Sequence, residues 1–126
     1  MNNIMLDLET MGKGSNAAIV SIGAVFFNPL TGELGDQFYK RIWLESAAKY
    51  GELDASTVVW WLGQSDEARA EISHNDSVGL NEAIRGFSEF IFNNTKGSFT
   101  DTRVWGNGCT FDNVIIANAY KQLKLQ

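Results

Sequence analysis

The sequence predicts an α/β domain built on a mixed sheet flanked by helices. Three observations predict it. Three β-rich segments follow one another from the N-terminus, the middle of the chain turns to helical spacing, and a short strand and one more helix close it.

The segment Ile4-Met5-Leu6-Asp7-Leu8-Glu9 reads as a short strand whose acids occupy alternate positions, so Asp7 and Glu9 share a face. Glycines mark residues 11–16 as a loop. Residues 18–27 are nearly all apolar and rich in β-branched side chains, the pattern of a central strand. A turn over Asn28-Pro29-Leu30-Thr31-Gly32-Glu33 leads into a third strand from Leu34 to Trp43, so the three strands read as an antiparallel meander. Asp54 offers an N-cap to a helix holding Val58 to Leu62, and Ser65 starts a second short helix running to about Ser73. Leu80, Ile84, Phe87, Phe90 and Ile91 recur at helical spacing and describe an amphipathic helix that fades at Asn93-Asn94. Arg103-Val104-Trp105-Gly106 is a short strand, and Phe111 to Leu123 a final helix.

The bulk composition narrows the function. A chain of 126 residues with 44% hydrophobic content fits one domain, residues 1–126, with a packed core. A single cysteine, Cys109, forms no internal disulfide, and no apolar run approaches the ~18–20 residues of a membrane helix. The expected setting is cytoplasmic, away from membranes. A net charge of −5 argues against a broad basic nucleic-acid clamp. It leaves room for a nuclease that recruits phosphate through bound metal ions, whose carboxylate ligands themselves make a chain acidic.

Asp7 and Glu9 aim two oxygen-rich groups at one spot, where like charges repel unless a cation sits between them or one is protonated. Hard divalent ions suit that arrangement. Alone, the pair equally describes an edge strand showing acids to water. Its surroundings are more specific. Asp-Leu-Glu-Thr, a Gly-rich loop and the strand Ile19-Val20-Ser21-Ile22-Gly23-Ala24-Val25 resemble the first motif of the DnaQ-like (DEDD) 3′–5′ exonucleases. Asn107-Gly108-Cys109-Thr110-Phe111-Asp112, after a strand and at a helix start, resembles their second. The Trp60-Trp61 pair and the segment Trp105-Gly106-Asn107-Gly108 are similar to the small phage and prophage members sometimes labelled exodeoxyribonuclease VIII.

The resemblance implies an RNase H-like fold, its mixed sheet an antiparallel three-strand meander plus a parallel strand, and a two-metal hydrolase. Asp7, Glu9 and Asp112 would be catalytic metal ligands for Mg²⁺ or Mn²⁺, with Glu9 also placing the attacking water. Thr10 and Met11 would seat the terminal nucleotide. Asn107, Gly108 and Phe111 would line the substrate, the partner being a single-stranded 3′ end of DNA or RNA. One tryptophan of the pair is expected in the core and one near the groove; Trp61 is assigned to the groove.

The family's third motif, Tyr or His followed by Asp, does not occur after Asp112 within these residues. The domain is therefore expected to be C-terminally incomplete, a weak or inactive nuclease as it stands, with a non-catalytic remnant or assembly module as the alternative. The uncovered edge of the Arg103–Gly106 strand is expected to favour a homo-oligomer. His74 is expected at the surface, and Cys109 is expected to be structural.

Overall fold

In a computed structural model, residues 1–96, 99–106 and 111–123 are described, excepting the side chain of Phe99. Four strands, β1 (Asn3–Thr10), β2 (Ile19–Phe27), β3 (Leu34–Arg41) and β4 (Arg103–Gly106), form one mixed sheet in the order β3-β2-β1-β4. β1 and β2 pair antiparallel, as do β2 and β3, while β4 lies parallel to β1. The expected meander plus one parallel strand is what forms.

Alternation sorts the sheet into two faces. Ile4, Leu6 and Leu8 of β1 face inward, with Ile22, Ala24 and Phe26 opposite them on β2. Helix α4 (Leu80–Thr95) covers this face with Ala83, Ile84, Phe87 and Ile91, the apolar stripe the spacing foretold. Phe90 of α4 meets Phe26 at 5.0 Å between ring centroids, and Phe87 meets Phe38 of β3 at 5.7 Å. Helix α5 (Phe111–Gln122) lies beside α4, joined by a 2.6 Å hydrogen bond between the Ser88 and Tyr120 hydroxyls, and buries Ile115, Ile116 and Ala119. The opposite face carries Asp7 and Glu9.

Three shorter helices bridge β3 and α4. Helix α1 (Leu44–Tyr50) was not visible in the sequence, and the reason is local: its N-cap is Trp43, which supplies no side-chain cap. Helix α2 (Ala55–Leu62) starts at Asp54, whose carboxylate accepts the Thr57 N–H at 2.9 Å. The Ser56 hydroxyl, then the Thr57 N–H and hydroxyl, hold the Asp54 carboxyl down to about 2. Helix α3 (Asp66–Ala70) is capped by Ser65 and stops three residues short of the expected end, residues 71–73 continuing as turns.

Two close backbone approaches fix the loop after β1. A Cβ on Gly51 would stand 2.6 Å from the Ala18 Cα, so only glycine lets α1 end against the start of β2. Met11 is tied on both sides: its N–H donates to the Ala18 carbonyl at 2.9 Å, and its carbonyl accepts the Asp54 N–H at 2.8 Å. Among the described residues, β4 is one edge of the sheet, with Trp105 45% exposed. No helix among the described residues is long and apolar enough to cross a membrane.

Candidate active site

The parallel pairing of β1 with β4 positions the acids. A helix that follows β4 must begin where β1 ends, and this brings the first turn of α5 to the Glu9 end of the sheet. Asp112 sits in that first turn, where the helix N-terminus favours a negative charge, and is only 5% exposed. Across the sheet, Asp7 stands in register with Gly23 and Gly23 with Tyr39; one row on, Glu9 pairs with Ser21 and Ser21 with Arg41. Gly23 adds no side chain between Asp7 and Tyr39, so the acid face is open there.

Electrostatics show that the acids act on one another. Burial pushes the Glu9 carboxyl up, and the negative charges of Asp7, Asp112 and Glu71 push it further in the same direction. As they stand, no three Asp, Glu, His or Cys side chains among the described residues close into a group able to hold one metal ion together. The chemistry nonetheless fits a hard divalent cation: an all-oxygen donor set at one end of the sheet, with mutual repulsion that such an ion relieves.

The remaining expected residues fall in different places. The Thr10 hydroxyl donates to the Gly12 carbonyl at 3.0 Å and shapes the turn after the β1 bulge. Met11 is 2% exposed, and both its backbone groups are hydrogen-bonded within the chain, to Ala18 and Asp54. Phe111 is 40% exposed beside Asp112. Asn107, Gly108 and Cys109 lie outside the described residues. Of the tryptophan pair, Trp61 is 4% exposed and its indole N–H donates to the Thr10 carbonyl at 3.1 Å, whereas Trp60 is 57% exposed. The groove position assigned to Trp61 is thus a wall position, and the open ring belongs to Trp60.

Sequence reasoning missed two neighbours, Tyr39 and Glu71. With Trp60 they line a cleft of about 450 Å³ together with Asp7, Glu9 and Trp61. The Glu71 carboxylate accepts the Tyr39 hydroxyl and two Arg41 donors, at 3.2 and 3.0 Å. Arg41 also donates to Asp76, which lies 2.7 Å from the His74 Nδ1. Arg41 keeps the Glu71 carboxyl below its usual range despite partial burial, while burial, and then Glu71, push the Tyr39 hydroxyl up. Alternation along β3 puts Tyr39 and Arg41 on one face and was legible; the reach of Glu71 across the chain was not.

A family model described as the 3′-5′ exoribonuclease Rv2179c-like domain matches residues 2–126. The chain belongs to this family. It is by family a DnaQ-like 3′–5′ exonuclease, a hydrolase, as its two motifs implied. An exodeoxyribonuclease of Enterobacteria phage T4 is 28% identical to this chain over 132 residues, covering 98% of this chain and 58% of the phage protein. The nuclease domain of 3′hExo, described as a DEDDh family member bound to rAMP, superposes with a TM-score of 0.63 at 10% identity, covering 98% of this chain and 60% of that one. At that identity the likeness establishes the RNase H-like fold alone. The chain spans less than two thirds of either protein's length.

Proposed function

We propose that this domain, residues 1–126, carries a metal-dependent 3′–5′ exonuclease site that hydrolyses phosphodiester bonds at polynucleotide 3′ ends, with Asp7, Glu9 and Asp112 holding Mg²⁺ or Mn²⁺. The observation that carries the reading is the match of the 3′-5′ exoribonuclease family model over residues 2–126, in a fold that sets Asp7 and Glu9 on alternate positions of β1 and Asp112 in the first turn of α5. Carboxylates brought to one end of a sheet suit a hard divalent cation. Bound divalent ions, two in a complete site, supply Lewis-acid stabilisation of charge on the phosphate and acidify a water. The chain's residues do the positioning. Glu9, at the end of β1, orients the water; Asp7 and Asp112 hold their places through the sheet and the first turn of α5. Phe111 offers apolar surface to the terminal sugar. The family description names RNA and the phage relative DNA, so the reading is written for a 3′ end of either sugar. A cytoplasmic setting belongs to the same reading, supported by the single cysteine.

The test is thermal. Mn²⁺ or Mg²⁺ is expected to raise the melting temperature, because an ion that binds only the folded state stabilises it by mass action. Asp7→Asn is expected to abolish that gain. An equal gain in the variant would remove the acids from the site.

The β4 edge supports a second expectation. Among the described residues no strand pairs with its outer side, and Trp105 there is 45% exposed, an edge that invites pairing with a second copy of the chain. Light scattering across a dilution series should show self-association of residues 1–126. A dilution-stable monomer of 14.0 kDa would refute it.

A further inference from the structure

One wall of the cleft stands without a core of its own. Ala68 and Glu71 line it beside Asp7 and Glu9, yet none of residues 62–76 is buried and helix α3 within them buries nothing. The segment is fixed at its two ends. The Trp61 indole N–H donates to the Thr10 carbonyl at 3.1 Å, and the Val78 N–H donates to the Arg41 carbonyl at 2.9 Å. Between those ends Ile72 packs, partly buried, against the core, and the side chains of β3 supply hydrogen bonds. A stretch with so little buried surface opens locally at small cost unless polar ties hold it.

Arg41 supplies those ties. Its Nε and Nη2 donate to Glu71 at 3.2 and 3.0 Å, and its Nη1 donates to the two Asp76 oxygens at 3.3 and 3.1 Å. One guanidinium thus pins both ends of the turns over residues 71–76. The planar fork suits two carboxylates at once, whereas a lysine ammonium is a single point on a flexible stem. Its side chain is only 21% exposed, so solvent screens these pairs less than it does open surface pairs. The Tyr39 hydroxyl adds a further donor to Glu71, and the guanidinium stands 5.1 Å from the Tyr39 ring centroid. Register ties this bracket to the acids: Arg41 stands opposite Ser21, and Ser21 opposite Glu9. Arg41 also offsets the Glu71 charge, which would otherwise meet an incoming phosphate chain bare.

We propose that Arg41 is a positioning residue for the polynucleotide: its fork to Glu71 and Asp76 holds residues 62–76 in place as the wall of the cleft beside Asp7 and Glu9. It acts through that wall and touches neither metal nor substrate. The proposal rests on the exonuclease reading above and adds to it a residue outside the acids. A wall ordered in advance spares the strand the entropy of ordering it on binding.

The probes are short fluorescein-labelled single strands of DNA and of RNA with phosphorothioate 3′ linkages, titrated in Mg²⁺ by anisotropy. Arg41→Ala is expected to weaken the tighter of the two about tenfold, the scale of re-ordering one or two side chains at each binding event. Arg41→Lys keeps the charge but not the fork, and should stay at least about threefold weaker than the native chain. In a Glu71→Ala background, Arg41→Ala should add no more than about twofold, because the link is already gone. Hydrogen exchange in Arg41→Ala should quicken over residues 62–76 and stay unchanged in β1 and β2, while Mn²⁺ still raises the melting temperature. Native-strength binding by Arg41→Ala, full recovery by Arg41→Lys, additivity with Glu71→Ala, or exchange quickened through the whole sheet would each overturn the positioning role. Should Arg41→Ala fail to fold, Asp76→Ala removes one arm of the fork at an exposed site. Binding about threefold weaker is then expected, and unchanged binding overturns the role. If the native chain itself shows neither the Mn²⁺ gain nor strand binding, the exonuclease reading falls and the proposal with it. If the native chain shows both and Arg41→Ala loses neither, the positioning role alone falls.

Discussion

Glu9→Gln is expected to reduce metal-dependent release of mononucleotides from a 3′ end by at least about a hundredfold, the scale on which metal sites respond to altered ligands. The same variant is expected to melt no lower than the native chain in the absence of added metal. The two halves share one cause. The negative charge on Glu9 is opposed by Asp7, Asp112 and Glu71, so removing it relieves repulsion in the folded state. A side chain kept for structure would behave the other way, losing stability in step with activity. Single-turnover cleavage of a 3′-labelled oligonucleotide, with both proteins prepared at the same length, gives the first number, and thermal melting the second. Less than about a tenfold loss would remove Glu9 from the chemistry. A clear drop in melting temperature would make it a structural residue.

The parts of this fold that were legible in the sequence are those set by local pattern. Strand β1 announced itself through Ile4, Leu6 and Leu8 alternating with Asp7 and Glu9, and α4 through its apolar stripe. Helices α2 and α3 were read from their caps, Asp54 and Ser65, which the structure uses as such. Helix α1, lacking a side-chain cap, gave no such sign. At the site, the acids were found because their spacing encodes a shared face. Glu71 was not found, because its place beside Glu9 depends on Arg41 and Tyr39 of β3 reaching the turn after α3, a contact across some thirty residues. The tryptophan pair marks the same boundary. Adjacent helical residues point about 100° apart, so one had to face the core, but periodicity alone did not say which.

Trp61→Ala is expected to cost about 3–5 kcal/mol of stability, the range for truncating a large buried aromatic. For a domain of this size that corresponds to a fall of roughly 10 °C or more in melting temperature. The indole is 4% exposed, supports Trp60 edge-on, and satisfies the Thr10 carbonyl at the bulge where β1 leaves the sheet. Alanine would leave both a cavity and an orphaned acceptor one residue from Glu9. Trp60→Ala, one position earlier, removes a ring that is 57% exposed and should alter stability by no more than about 1 kcal/mol. Chemical denaturation of the two variants side by side tests the contrast. Trp61→Phe should recover most of the packing but not the hydrogen bond, and so fall between them. If the two alanine variants prove equally stable, Trp61 is not the strut that places Glu9.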